Sequence, residues 1–425
     1  MPPIEVPILG RSGLVAIIAL LHIPFFVNFV MGAPLLAVIS EYIGLKRGDP
    51  KYDRFARHLS YLALVTVAIG ALGGVGLVAT NLGLFPRFFA LGANIYFWPL
   101  VLELPAFLIE AIFIAAYRYT WESLREHRGW HMALGLLGAM GAWGSGFIIN
   151  GLASFMLTPG HWVQTKALLD AWFNPSMFPS FLHRALAAFS ITGFYAMIYA
   201  LFMGAQAKTA PERDYAAWGL RYSGLWAVIS TALQFVPGVW YLIALQQATV
   251  PSVVPKFLGG ELAFPWFGGI ILAAVAILLA FFLAVQSPQV GLKGWGRGFL
   301  VLSVLLIMIT TAFMGFSRER ARKPYLVYGV MYANEMLVAA PSPTPTPTAV
   351  TLLPEGKAVF AKSGCTACHS LGGQGAAVGP ALDGVGKKMD AGQLAASLKV
   401  PPKGMPAFSG TPEELKALAE FLSGQ

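Results

Sequence analysis

Cys365-Thr366-Ala367-Cys368-His369 sets two thiols and an imidazole within five residues. At that spacing the thiols can form thioethers to the two vinyl groups of a haem, and the histidine that follows can ligate its iron. These are the only two cysteines in 425 residues, so no disulfide framework remains once both are used. A redox C-x-x-C pair and half of a zinc site are the other readings. Zinc needs two further ligands nearby, and His369 is the last histidine in the chain.

The flanking residues extend the pattern. Glu355 to Phe360 reads as a short helix with Val359 and Phe360 turned inward. Gly379-Pro380-Ala381-Leu382 and Gly404-Met405-Pro406-Ala407-Phe408 follow the motif, and a last helix runs from about Pro412 to Leu422. From about residue 353 onward the chain resembles a small class I cytochrome c with one covalent haem c. The resemblance implies that Met405 supplies the sixth iron ligand; packing in the domain core is its other reading. A His/Met pair raises the reduction potential and leaves no open iron position, so such a haem relays electrons and binds no substrate.

A second set of reactive side chains sits in apolar surroundings: His22, Glu103, Glu110, His183 and Glu319. An ionisable group inside a membrane costs about 2.5–3.5 kcal/mol on insertion scales, so each needs a reason. Neutral imidazole is a good haem ligand, and the alternative for each histidine is a hydrogen bond inside a helix bundle. Glu103 and Glu110 are seven residues apart. On a helix that puts them on one face, about 10 Å apart, which suggests a proton path. A structural hydrogen bond is the alternative for either. His58, His127, His131 and His161 fall at or near the ends of apolar runs and read as interfacial or solvated.

The elements that must position these groups are membrane helices. Hydrophobic residues are 56% of the chain and charged residues 12%, about half the charge of an ordinary soluble chain. Apolar runs predict eight spans, at roughly 13–40, 58–83, 93–117, 131–157, 181–205, 217–246, 264–286 and 296–316. The first run is too long for a cleaved leader. Lysine and arginine concentrate in the odd-numbered loops, for example Lys46, Arg47, Arg54 and Arg57 in the first and Arg118, Arg125 and Arg128 in the third. Those loops are therefore expected in the cytoplasm, with both the N-terminus and the haem c segment outside. By this topology His22, His183 and Glu319 share the outer part of a bacterial cell membrane. Arg318, Arg320, Arg322 and Lys323 break the inside-positive pattern. Arg184, Arg320 and Arg322 are well placed to pair with haem propionates. The net charge of +9 is explained by topology and a basic docking face, without nucleic acid. Between membrane and haem c segments, alternating prolines from Pro341 to Pro347 predict an extended spacer of roughly 25 Å over eight residues.

Several stretches together resemble subunit I of the cytochrome bd oxygen reductases, over roughly residues 14–325. They are His22, Pro99 to Glu103 leading to Phe107-Leu108-Ile109-Glu110, Trp121, Asn150-Gly151 with Met156 to Gly160, Phe181-Leu182-His183, and Glu319 to Tyr325. The resemblance implies an all-α bundle that holds up to three haems of b or d type. His22 would ligate one high-spin haem of the oxygen site, Glu319 the second, and His183 a low-spin haem. Arg322 would contact the haem groups, and Glu110 would lie on a proton route. The chain departs from the family in four ways. The long quinol-binding loop between spans six and seven is replaced by about Gln247 to Glu261. The span at 264–286 has no methionine or histidine for the low-spin haem, leaving Met308, Met314 or no second ligand, with Trp266 near the expected place. The glutamates are seven apart where the family spacing is eight, and the ninth span is absent.

The expected organisation is a haem-binding membrane domain over 1–325, a connector and linker over 326–350 and a cytochrome c domain over 351–425. The expected function is a bd-like terminal oxidase reducing O2 to water, fed by a periplasmic cytochrome or similar carrier. Electrons would pass from the His369/Met405 haem to the His183 haem and then to the pair at His22 and Glu319. Glu110, with Glu103, would deliver protons. Other readings are a quinol-oxidising protein exporting electrons through haem c, a reductase of nitric oxide or another small diatomic, and a conduit whose haems are all six-coordinate. A second membrane subunit or a homodimer is left open.

Overall fold

The computed structural model describes residues 4, 6–248, 253–338, 354–402 and 404–425. The proline-rich spacer and residues 249–252 lie outside the described residues. The chain divides into two units, Met1–Val338 and Ala339–Gln425.

In the first unit eight helices are long and apolar enough to cross a membrane: α1 (Gly10–Arg47), α2 (Pro50–Leu84), α3 (Phe97–Tyr119), α4 (Arg128–Phe155), α5 (Met177–Gln206), α6 (Ala210–Gln247), α7 (Ala263–Gln286) and α8 (Gly294–Ala321). Five of them, α1, α2, α5, α6 and α8, outrun their apolar stretches by a turn or more, because α-helical hydrogen bonding continues into the flanking polar residues. Local chemistry sets the ends. Gly48 adopts the left-handed conformation (φ 63°) that closes α1, and Asp49 caps α2 by accepting from the Lys51 amide at 3.0 Å. Thr209 and Glu212 form a reciprocal capping box at the start of α6. Within α1, Ile23–Val27 winds as one π turn around Pro24, whose ring nitrogen has no hydrogen to donate. His22 is the residue just before that turn.

Small residues bring the helices together, as expected where lipid gives no hydrophobic drive to association. A Cβ on Gly141 of α4 would lie 2.4 Å from the Glu110 amide nitrogen of α3, and one on Gly138 would lie 2.9 Å from that of Ile114. A Cβ on Gly32 of α1 would come 2.3 Å from the Ala188 carbonyl oxygen of α5. The core these contacts build includes Phe29, Leu36, Ile114, Tyr117, Phe194 and Met197. Large apolar side chains such as Leu72, Val75, Ile112 and Ile271 point outward, as a lipid-facing surface requires. After α8 a hairpin pairs β1 (Tyr325–Val327) with β2 (Met331–Tyr332), and Val327 and Met331 join a second core with Tyr96 and Phe155.

The second unit packs α9 (Pro354–Lys362), α10 (Ala391–Lys399) and α11 (Pro412–Ser423) around Val359, Phe360, Leu394, Leu398, Leu418 and Phe421. Its first helix approaches α11 closely: a Cβ on Gly356 would fall 2.3 Å from the Ala417 carbonyl oxygen. Val359 and Phe360 face inward, as the sequence pattern requires.

Candidate haem sites

In the second unit Cys365 opens a short 3-10 turn, half-buried, and Cys368 is exposed; both are free thiols. Burial pushes the Cys365 thiol up from its ordinary range. The His369 amide donates to the Cys365 carbonyl at 2.9 Å, which folds the motif back on itself. His369 Nδ1 lies 2.7 Å from the Pro380 carbonyl oxygen. A carbonyl only accepts, so Nδ1 carries the hydrogen and Nε2 keeps its lone pair for a metal. The imidazole rests on Gly379, where a Cβ would come within 2.6 Å of the ring. This support fixes the ring plane, as an outer partner does for a ligating histidine. Met405 is half-buried against the core of the unit. These residues fit an attached haem. Among the described residues no group of three or more His, Cys, Asp or Glu is placed to hold a bare metal ion.

In the first unit, His22, His183 and Glu319 all lie toward one end of the bundle, where α1 and α5 begin and α8 finishes. His22 Nδ1 is buried without a hydrogen-bond partner of normal geometry. Its imidazole faces two glycines of α2: a Cβ on Gly73 would lie 2.8 Å from Nδ1, and one on Gly74 would lie 3.7 Å from Nε2. Nδ1 turns toward the Gly70 carbonyl, outside normal hydrogen-bond geometry, and the glycine pair lets the ring pack directly on α2. His183 Nδ1 sits 3.2 Å from the Gln234 carbonyl oxygen at the joint of α6, so its Nε2 also keeps a lone pair. Gly238 leaves room beside that ring.

Glu319 is clasped by Arg318 on Oε1 and by Arg322 on Oε2. Arg318 also donates to the Ala153 carbonyl, and Arg322 to the carbonyls of Tyr325 and Leu326. Arg184 donates from Nε to Asn150 Oδ1 at 3.3 Å and lies within electrostatic reach of Arg318. Two guanidiniums therefore bond one carboxylate, and a third, on Arg184, stands near Arg318. Buried charge needs compensation, and the carboxylates of a bound haem would provide it. Arg320 departs from expectation: it turns outward and pairs with the exposed Glu261 at 3.2 Å. Arg318, one residue before the glutamate, takes the inward place.

Glu103 Oε1 accepts from Ser145 of α4 at 2.7 Å, and Glu110 is buried against Gly141 on the same face of α3. His127 and His161 are exposed, and half-buried His58 bonds the Arg54 carbonyl. His131 overturns its expectation as a solvated helix-end residue. It is fully buried between Glu41 and the Tyr117 carbonyl. Its neighbour Trp130 is the exposed one, because a helix turns 100° per residue and the first turn of α4 already packs on α1 and α3.

Residues 12–249, more than half of the chain, match the family described as cytochrome bd terminal oxidase subunit I. The chain belongs to the cytochrome bd subunit I family. Residues 351–422 match the family described as cytochrome c oxidase, cbb3-type, subunit III. Among curated relatives, the putative cytochrome bd menaquinol oxidase subunit I of Bacillus subtilis (strain 168) is 27% identical over 179 residues, 40% of this chain and 39% of the relative. The match thus spans about two fifths of that relative's length. The solved structure of bd oxidase from Geobacillus thermodenitrificans aligns with a TM-score of 0.64 at 19% identity, covering 75% of this chain and 88% of that chain, a likeness of fold. This bd subunit I relative is an integral membrane, haem-binding protein that carries a cytochrome c domain.

Proposed function

We propose that the protein is a bd-type oxidoreductase that reduces O2 to water with electrons delivered to its cytochrome c domain by a soluble periplasmic cytochrome. The observation that carries this reading is a substitution of parts. A connection of only about fifteen residues, Gln247 to Glu261, joins α6 to α7, and a haem c motif follows the bundle. Haem bound to the membrane unit, of b or d type, supplies one-electron transfer and, at an iron with an open position, reduction of a diatomic. The protein's own residues do the rest. His22, Glu319 and His183 would hold the iron, while Arg184, Arg318 and Arg322 would neutralise propionates. Glu110 and Glu103 hold protons on one face of α3, with Ser145 orienting Glu103. His369 and Met405 would hold the iron of the covalent haem. Basic loops such as that of Arg54 and Arg57 set the opposite end in the cytoplasm, so the N-terminus and the cytochrome c domain lie outside.

A second reading, quinol oxidation, is favoured by the name of the Bacillus subtilis relative, which specifies menaquinol. Oxygen uptake by the purified, haem-replete protein separates the two. Reduced soluble cytochrome c should drive it, and carbon monoxide should shift the spectrum of the membrane haems. No uptake with cytochrome, together with anaerobic reduction of haem c by menaquinol, would establish the second reading instead.

A further inference from the structure

At the end of the bundle away from His22, His183 and Glu319, α1 and α3 finish and α2 and α4 begin. Glu41 of α1 and His131 of α4 meet there, 1% and 0% exposed. His131 Nδ1 lies 2.8 Å from Glu41 Oε1 and 3.0 Å from Oε2, while its Nε2 lies 2.9 Å from the Tyr117 carbonyl oxygen. The Tyr117 hydroxyl donates to Glu41 Oε2 at 2.8 Å. Arg128 Nη1 reaches both Glu41 Oε1, at 3.1 Å, and Asp53 Oδ1, at 2.9 Å. Asp53 brings the network to the surface, at 34% exposure.

The hydrogen bonds fix a proton count. A carbonyl oxygen only accepts, so Nε2 must carry a hydrogen. A nitrogen 2.8 Å from a carboxylate oxygen needs a second hydrogen between them. The pair therefore holds one proton more than a neutral imidazole beside a carboxylate. Charge balance gives the same count. Among the described residues Glu41 and Asp53 share the one guanidinium of Arg128, and the additional proton brings the group to neutrality.

Tyr117 also sets a direction. Tyr117, Glu110 and Glu103 recur every seven residues along α3, so they share one face in steps of about 10 Å. Gly135, Gly138 and Gly141 of α4 press against Tyr117, Ile114 and Glu110 in turn and hold that face in place.

We propose that the Glu41–His131 pair is a proton-holding site that hands protons through Tyr117 toward Glu110. The proposal rests on the reading that Glu110 and Glu103 supply protons to chemistry at the other end of the bundle. The transfer moves protons only. The Tyr117 hydroxyl, which rests donating to Glu41 Oε2, first turns its hydrogen to a water beside α3. The extra proton, carried on Oε2, then passes to the Tyr117 oxygen as the hydroxyl's own hydrogen passes to that water. Solvent water at Asp53 and Arg128 then refills the pair. Water spans the remaining distance to Glu110.

The test uses the full-length holoprotein, reduced anaerobically by photoreduced flavin in weakly buffered solution with a pH-indicating dye. The wild type takes up protons as its haems are reduced. Tyr117→Phe and Glu41→Gln reach the same extent of reduction with the same haem content, but their proton uptake is at least about tenfold slower. In deuterium oxide the variants slow further than the wild type. If Glu41→Gln loses haem, Tyr117→Phe decides alone, because it keeps the ring and leaves Glu41, His131 and Arg128 in place. Uptake at the wild-type rate in Tyr117→Phe, or no uptake by the wild type, overturns the proposal. A wild type that takes up protons yet consumes no oxygen would overturn the oxidase reading and leave the site standing. Normal oxygen consumption with unslowed variants would do the reverse.

Discussion

A histidine in an apolar helix is readable in sequence as a question, and its neighbours answer it. His22 and His131 both stand in apolar spans, yet the structure gives them opposite surroundings. His22 Nδ1 has no normal hydrogen-bond partner and faces glycines, whereas both His131 nitrogens are engaged by Glu41 and the Tyr117 carbonyl. His131 is satisfied by protein and His22 is not, so His22→Ala should remove one haem from the membrane unit. Pyridine haemochrome analysis should show one fewer non-covalent haem per chain with haem c unchanged. Full retention of all haems would exclude His22 as a ligand. The glutamates follow the same logic. Glu103 and Glu110 were legible from seven-residue spacing, but Glu41 was not. It lies in α1 near the basic end, and sequence does not say that α3 and α4 close over it.

At the scale of helices, composition predicted the number of spans, and glycine placement decided how they meet. Gly141 and Gly144 are both on α4, three residues apart, and sequence treats them alike. A Cβ at Gly141 would strike the Glu110 backbone at 2.4 Å, whereas one at Gly144 would rest 3.9 Å from the Ala106 Cβ. Gly141→Ala should therefore cost about 1–3 kcal/mol through overpacking and displace Glu110. Gly144→Ala should be near neutral, or slightly stabilising by the helix preference of alanine. Thermal loss of the Soret band of the membrane haems measures both, and equal midpoints for the two variants would show that α3 and α4 yield at this contact. The π turn after His22 was only half legible. Pro24 announces an irregularity, but its form is set by how α1 packs on α2 and α5.

On the scale of the whole molecule, the two units have separate cores, so chemistry in one can be removed without unfolding the other. Replacing Cys365 and Cys368 together by serine should abolish covalent haem. The carbon monoxide spectrum of the membrane unit should keep its amplitude. Oxygen uptake driven by reduced cytochrome c should fall to background, and an undiminished rate would show that electrons reach the membrane unit by another way. By itself the sequence determined the membrane class, the eight spans and the haem c motif. It also carried the pattern over residues 12–249 that marks the bd family. Each of these is written locally, in hydropathy over about twenty residues or in spacing within one helix or motif. Tertiary structure decided which arginine faces Glu319, which histidine is already satisfied, and that Glu41, Tyr117, Arg128 and His131 form one network. Those depend on contacts between residues up to 90 positions apart, set by the rotation of each helix against its neighbours, which no single stretch of chain encodes.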